Sequence, residues 1–136
     1  MAKAYEERII ALGREFQAQG VQFILISAND TTDYPEDSPT EMKRRALERS
    51  YPFPYLFDAT QQVALAYGAR VTPHIFLLDG NLALRYRGAV DDNQYDPGAL
   101  KSAYLRDALS VLVSGRLEEL KIPETVAKGC TIKWRD

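Results

Sequence analysis

The sequence is poor in the side chains that most often carry chemistry. Cys130 is its only cysteine, which excludes an internal disulfide and a cysteine-rich metal site. His74 is its only histidine, which argues against a histidine-based metal site and against a Ser-His triad. We therefore expect no bound cofactor and no metal. A single free thiol is typical of a reducing compartment, so we expect a cytoplasmic protein.

Other features are missing as well. No apolar run approaches the roughly 18 residues that a membrane span requires, and the residues after Met1 lack the apolar stretch of a signal peptide. The net charge of −2 and the isoelectric point of about 5.5 offer no basic surface to nucleic acid or to an anionic membrane. The length of 136 residues predicts one domain over 1–136, with a C-terminal tail at 115–136.

The most informative stretch lies at residues 71–79, where an apolar run opens with Thr-Pro and ends at a turn signal. Its isoleucine, phenylalanine and leucine residues predict a buried central strand. Proline cannot donate a hydrogen bond to a sheet, so Pro73 is expected at the start of the strand. The Thr72–Pro73 bond at such a position is a candidate for a cis peptide.

Helices and strands alternate along the rest of the chain. Helical spacing, capping residues and glycine stops predict helices over 2–19, 38–49, 58–68 and 99–114. Apolar or alternating runs predict strands over 21–27, 71–79, 82–87 and, in the tail, 131–134. The strand at 21–27 is apolar almost throughout, which is typical of a parallel sheet covered on both faces. The order of elements predicts an α/β domain.

Several separate motifs carry a resemblance to one family. They are Tyr-Glu-Glu-Arg at 5–8, Tyr-Pro-Phe-Pro-Tyr at 51–55, Asp-Asp-Asn at 91–93 and Gly-Cys-Thr-Ile-Lys-Trp at 129–134. With the Thr-Pro strand, they make nearly the whole chain resemble the thioredoxin fold, and within it the peroxiredoxin-like redoxins of the AhpC/TSA class. The resemblance implies a mixed sheet flanked by helices.

The same resemblance implies a thiol-dependent oxidoreductase that acts on protein disulfides or on peroxides. It makes Thr72 and Pro73 the residues that face the redox thiol, and it makes Cys130 the remaining candidate thiol. Members of the family carry a nucleophilic cysteine after their first strand, at a helix N-terminus. No cysteine of this sequence has that position, so we expect little peroxidase or disulfide reductase activity. The alternative for Cys130 is a purely structural place in the tail.

The resemblance also places a first strand between the strands at 21–27 and 71–79, and this sequence has no segment for it. Two strand edges would then expose unpaired backbone groups. The replacement is open between the N-terminus of a neighbouring chain, the tail strand near 131–134, and direct pairing across the gap. We expect a truncated redoxin. The alternative function is a non-catalytic binding or assembly module, with homo-oligomers formed through the open sheet edge.

The remaining polar clusters are interpreted as surface features. The basic residues of the second helix, Arg45 among them, are expected on a solvated face. The aspartates near Asp91 are interpreted as a solvated turn rather than a calcium site. His74 is expected to be structural rather than catalytic.

Overall fold

The computed structural model describes residues 3–135. Its helices are α1 (Lys3–Gln17), α2 (Pro39–Glu48), α3 (Gln62–Tyr67) and α4 (Tyr104–Val113). Its strands are β1 (Leu25–Ser27), β2 (Tyr55–Phe57), β3 (Val71–Thr72), β4 (Ile75–Leu78), β5 (Leu84–Gly88) and β6 (Cys130–Thr131). None of the helices within residues 3–135 is long and apolar enough to cross a membrane.

The helix starts depend on local hydrogen bonds. At α2 the hydroxyl of Ser38 accepts a hydrogen bond from the Glu41 N–H at 3.3 Å, as the capping motif predicts. The predicted start of α3 at Asp58 is wrong. The Asp58 carboxylate accepts from the N–H of Ala64 at 2.9 Å, and Gln61 has a φ of 65°, so the helix begins after Gln61.

The last helix also begins later than predicted, at Tyr104 instead of residue 99. The residues Pro97–Ala99 form a separate turn of 3₁₀-helix. Asp96 fixes this turn because its side chain accepts a hydrogen bond from the Gly98 N–H at 2.9 Å. Polar side chains before a helix compete with the backbone for such bonds, which delays the regular helix.

The strands form three two-stranded ladders. The strands β1 and β2 are parallel, with Leu25 opposite Tyr55, whereas β4 and β5 are antiparallel, with Phe76 opposite Arg87. The short strands β3 and β6 form the third, antiparallel ladder. Parallel and antiparallel pairs therefore occur together, as expected, but the described strands are not joined into one sheet. The strand β1 is shorter than the predicted 21–27 because β2 pairs with only three of its residues.

One hydrophobic core lies where α1 and α4 pack against the strands. Its largest fully buried side chains are Tyr5, Tyr86 and Leu109. Burying a large apolar side chain contributes about 1.5–3 kcal/mol to folding. The hydroxyl of Tyr86 does not remain unpaired, because it donates to the carbonyl oxygen of Ala89. This core fixes the two helices on one side of β1 and β4.

A buried ion pair joins α1 to α2. Glu6 is 2% exposed and accepts hydrogen bonds from Arg45 at 2.7 and 2.8 Å and from the Tyr51 hydroxyl at 2.6 Å. Burial by itself would raise the pKa of Glu6, but the hydrogen bonds from Arg45 and Tyr51 and the positive charges of Arg45 and Arg49 lower it below its ordinary value. The expectation of a solvated face is therefore wrong for Arg45.

A second ion pair joins α1 to the loop after β5. Arg8 donates to both carboxylate oxygens of Asp91 at 2.9 Å and to the carbonyl oxygen of Asn93 at 2.6 Å. Asp91 is buried. The interpretation of Asp91 as part of a solvated turn is therefore wrong, since its carboxylate is committed to Arg8.

The tail first covers the outer edge of β5. The N–H of Arg87 donates to the carbonyl oxygen of Pro123 at 3.1 Å, and the N–H of Thr125 donates back to Arg87 at 3.0 Å. The Thr125 hydroxyl also accepts from the N–H of Ala89 at 2.9 Å. The outer edge of this hairpin is thus paired with the tail.

Candidate functional site: a thiol beside Thr72–Pro73 and an apolar slot

The three predicted site residues lie together. The strand β6 runs antiparallel to β3 and places Cys130 opposite Thr72. The Thr72 hydroxyl donates to the carbonyl oxygen of Cys130 at 3.5 Å. The Thr72–Pro73 peptide bond is cis, as predicted. Cys130 is a free, exposed thiol.

Gly129 allows the tail to approach β3 this closely. A side chain at position 129 would collide with the carbonyl oxygen of Thr72. Glycine has no Cβ, so the two backbones can lie against each other at this point. The close approach of the two backbones therefore explains the glycine of the tail motif.

His74 follows Pro73 and has a structural environment. Its ring stacks on Phe76 with 4.6 Å between ring centroids, and its Nδ1 accepts a hydrogen bond from the Arg70 N–H at 3.3 Å. Partial burial lowers the pKa of His74, and the positive charges of Arg87 and Arg70 lower it further. Both effects favour the neutral imidazole, which is the form whose Nδ1 can accept the hydrogen bond from Arg70.

An apolar slot of about 770 Å³ lies between β1 and β4. The strand β1 is paired with β2 and β4 with β5, and the opposite edges of β1 and β4 border the slot. The side chains of α4 and α3 line it as well, among them Leu105, Leu109, Val63 and Tyr67. Among the described residues, β1 and β4 do not pair directly, so that option for closing the gap is wrong.

The tail closes one end of the slot but does not fill it. Ile132 is buried against Ala28 and Ala64, and its N–H donates to the carbonyl oxygen of Arg70 at 3.1 Å. The next residue, Lys133, accepts at its carbonyl oxygen from the Asp30 N–H at 2.7 Å. The tail therefore crosses from the start of β3 to the end of β1. The tail pairs with β3, at the start of the predicted strand 71–79, but it does not pair with β1 or β4 and leaves the gap between them open.

Gln61 holds this crossing, and the sequence analysis missed its role. Its side-chain amide nitrogen donates to the carbonyl oxygens of Ala28 and Lys133 at 2.6 and 2.9 Å. Its amide oxygen accepts from the Arg135 N–H at 2.9 Å. Gln61 is buried and joins three segments that are distant in sequence. The sequence gives no local signal for this role, because a glutamine at this position fits the capping box of a helix equally well.

The order of elements, the β–α–β unit with a parallel pair, the hairpin that follows Thr72–Pro73 and the final helix define an α/β protein with a thioredoxin-like fold. The model of the AhpC/TSA family matches residues 2–87. The chain belongs to the AhpC/TSA family, as its motifs predicted.

Two solved structures are similar over nearly the whole chain. One is an uncharacterized conserved protein from Geobacillus kaustophilus, with 39% identity and a TM-score of 0.87, and the match covers 98% of this chain and 70% of that chain. The other is a hypothetical protein from Sinorhizobium meliloti, with 33% identity and a TM-score of 0.82, and the match covers 97% of this chain and 72% of that chain. No curated protein has significant similarity to the chain.

Proposed function

We propose that this protein performs thiol–disulfide exchange of the redoxin class, with Cys130 as its reactive thiol. The observation that carries the proposal is the antiparallel pairing that sets the exposed Cys130 opposite Thr72, beside Pro73. Membership of the AhpC/TSA family supports the same class of chemistry. A free thiol of this kind fits a reducing compartment such as the cytoplasm.

The reaction begins when the Cys130 thiolate attacks one sulfur of a protein disulfide. A new S–S bond forms between Cys130 and the substrate, and the second substrate sulfur leaves as a thiolate. A low-molecular-weight thiolate then attacks the Cys130 sulfur of the mixed disulfide, forms a disulfide with Cys130 and releases the second substrate sulfur as a thiolate. A second small thiolate attacks this new disulfide, forms the small-molecule disulfide and releases Cys130 as a thiolate. In sum, one substrate disulfide is reduced and two small thiols are oxidised to their disulfide.

The reaction is expected to be slow and to need an external thiol. Cys130 is the single cysteine of residues 1–136, so no second cysteine of this segment can resolve the mixed disulfide. Cys130 also lies in a strand rather than at a helix N-terminus, where the helix dipole would favour a thiolate. Peroxide consumption, which would pass through a sulfenic acid at Cys130, is expected to be weaker still.

The test compares the protein with its Cys130→Ser variant. The native chain should form a mixed disulfide with a chromogenic aromatic disulfide, seen as a mass increase and as release of one coloured thiol. It should also reduce insulin slowly in the presence of excess small thiol. The variant should show neither effect. Equal insulin reduction by the two proteins would overturn the proposal.

A second candidate function is a binding or assembly module. One observation favours it, namely the two strand edges that border the slot without a partner among the described strands. Such edges bind extended chains by strand addition. If the protein is such a module, its thioredoxin-like fold binds an extended chain, and Cys130 is a structural residue of the tail.

A further inference from the structure

We propose that a second cavity, a surface cleft between the end of α3 and the tail, binds a small molecule that carries an aromatic ring and a carboxylate. The cleft has a volume of about 450 Å³. We call it the tail cleft, and its lining residues are Leu65, Gly68, Ala69, Arg70, Thr131 and Trp134. The proposal depends neither on the slot between β1 and β4 nor on the reactivity of Cys130.

The helix α3 separates the tail cleft from the slot. Val63 and Tyr67 line the slot, whereas Leu65 and Gly68 line the tail cleft. Residues three or four positions apart lie on the same side of a helix, so these two pairs lie on different sides of α3. No described residue of β1 or β4 lines the tail cleft. The cleft is therefore built by residues 65–70 and the tail alone.

The apolar part of the tail cleft suits a flat ring. Leu65 and Trp134 are 70% and 40% exposed, so much of their apolar surface is in contact with water. Gly68 leaves the cleft open, because a Cβ at this position would have no neighbouring atom within 4 Å. A ring placed against the indole of Trp134 would remove apolar surface of both partners from water.

Three hydrogen-bond donors of the lining have no acceptor among residues 3–135. They are the guanidinium of Arg70, the hydroxyl of Thr131 and the indole N–H of Trp134. The hydrogen bonds of Arg70 are made by its backbone, whose N–H donates to Nδ1 of His74 and whose carbonyl oxygen accepts from the tail. The described part of the chain therefore provides no carboxylate for the positive charge of Arg70.

The charge of the lining selects an anion. Arg70 is the only charged residue among the described residues that line the tail cleft. A carboxylate has two acceptor oxygens, which match two N–H groups of a guanidinium. The free carbonyl groups at the end of α3 disfavour an anion beside Gly68. We therefore expect the carboxylate of the ligand at Arg70, beyond the end of the helix.

The volume of the tail cleft fits a small molecule. Sites for small molecules have volumes of about 300–1,000 Å³ and combine apolar walls with a few polar groups that fix the orientation of the ligand. The tail cleft has both features. A ring joined to a carboxylate by a short aliphatic chain would contact Trp134 with its apolar end and Arg70 with its charged end.

The test uses the fluorescence of Trp134, which is the single tryptophan of residues 1–136 and therefore reports on the tail cleft directly. The chain is titrated with phenylacetate at neutral pH. Phenylacetamide, which lacks the charge, and acetate, which lacks the ring, are the control ligands. Phenylacetate should change the fluorescence with half-saturation at about 1 mM or below. Either control should bind at least tenfold more weakly.

Two variants locate the binding. Arg70→Gln removes the positive charge and keeps the backbone hydrogen bonds of this position, and circular dichroism checks that the variant folds. Arg116→Gln is the matched control, at an exposed arginine that pairs with Glu119 and does not line the tail cleft. Arg70→Gln should weaken the binding of phenylacetate at least tenfold, and Arg116→Gln should leave it unchanged.

Three results would overturn the proposal. The first is the absence of a saturable change in the fluorescence of Trp134. The second is equal binding of phenylacetate and phenylacetamide, because the charge would then not select the ligand. The third is equal binding of phenylacetate by the native chain and by folded Arg70→Gln, because the site would then lie elsewhere.

Discussion

The two faces of residues 23–26, the segment that leads into β1, carry equally apolar side chains and differ in what covers them. Phe23 and Leu25 pack against the core formed with α1 and α4. Ile24 and Ile26, one residue away, are 53% and 45% exposed beside the slot. The alternation of a strand gives each face its own neighbours. The comparison teaches that the burial of these residues follows from the elements opposite them and not from their hydrophobicity.

The two edges of the β4–β5 hairpin differ in the same way. The tail pairs with the outer edge at Arg87, whereas the inner edge of β4 borders the slot. Unpaired edges recruit other strands, and covered edges do not.

The largest effect is expected from Leu12→Ala. Leu12 is buried in the core and does not line the slot, so its truncation removes apolar contacts and leaves a cavity. We expect the free energy of unfolding to fall by about 3–4 kcal/mol in urea titrations. Ile26→Ala is the matched change on the slot side and should cost less than about 1 kcal/mol. Equal losses in the two variants would contradict the difference between the faces.

The next effect concerns the buried ion pair between α1 and α2. Arg45→Ala leaves the Glu6 carboxylate buried with only Tyr51 and Arg49 as partners. We expect a loss of about 2–3 kcal/mol in the free energy of unfolding. Arg44→Ala is the control, because Arg44 makes solvent-exposed pairs with Glu41 and Glu48 on the same helix. That variant should show no measurable change by thermal denaturation.

The ion pair between Glu6 and Arg45 also predicts that the stability of the protein depends on pH. The pKa of Glu6 is lowered in the folded state, so its contribution to stability is present above the ordinary glutamate value of about 4.3. This contribution is lost as the pH falls through the lower, folded-state pKa. Urea midpoints measured from pH 7 to 3 should therefore fall less steeply in Glu6→Gln than in the native protein. If the urea midpoints of the two proteins fell equally with pH, Glu6 would not be the group responsible for the pH dependence.

The smallest effect is expected where the tail closes the slot. Gln61→Ala removes the hydrogen bonds to Ala28 and Lys133 and to the Arg135 N–H. We expect a global loss of only about 1–2 kcal/mol, but faster amide exchange at Ile132. Gln62→Ala, at the exposed neighbouring position, should change neither quantity.

The sequence predicted correctly those features that depend on residues close to each other in the chain. The Ser38 cap, the start of α2 at Pro39 and the cis bond at Pro73 are confirmed. The ion pair of Glu6 was missed because Arg45 is 39 positions away and an arginine on a helix resembles a surface residue. The slot was expected from the resemblance to a family, and not from any residue that lines it.

The candidate site depends still more on contacts that are distant in the sequence. Cys130 and Thr72 are 58 positions apart, and Gln61 and Lys133 are 72 apart. Short segments such as β3 and β6 have too few residues for a periodic pattern to predict their partners. The sequence therefore predicted which residues are chemically notable, whereas the path of the tail follows from packing.

The position of Gln61 has a consequence for the chemical ageing of the protein. Glutamine is thermolabile because its side chain can lose its amide nitrogen as ammonia and become glutamate. At position 61 the new carboxylate oxygen would face the carbonyl oxygens of Ala28 and Lys133, with no hydrogen to donate to them. Long storage at warm temperature would therefore release the C-terminal segment first, while the core around Leu109 remains folded.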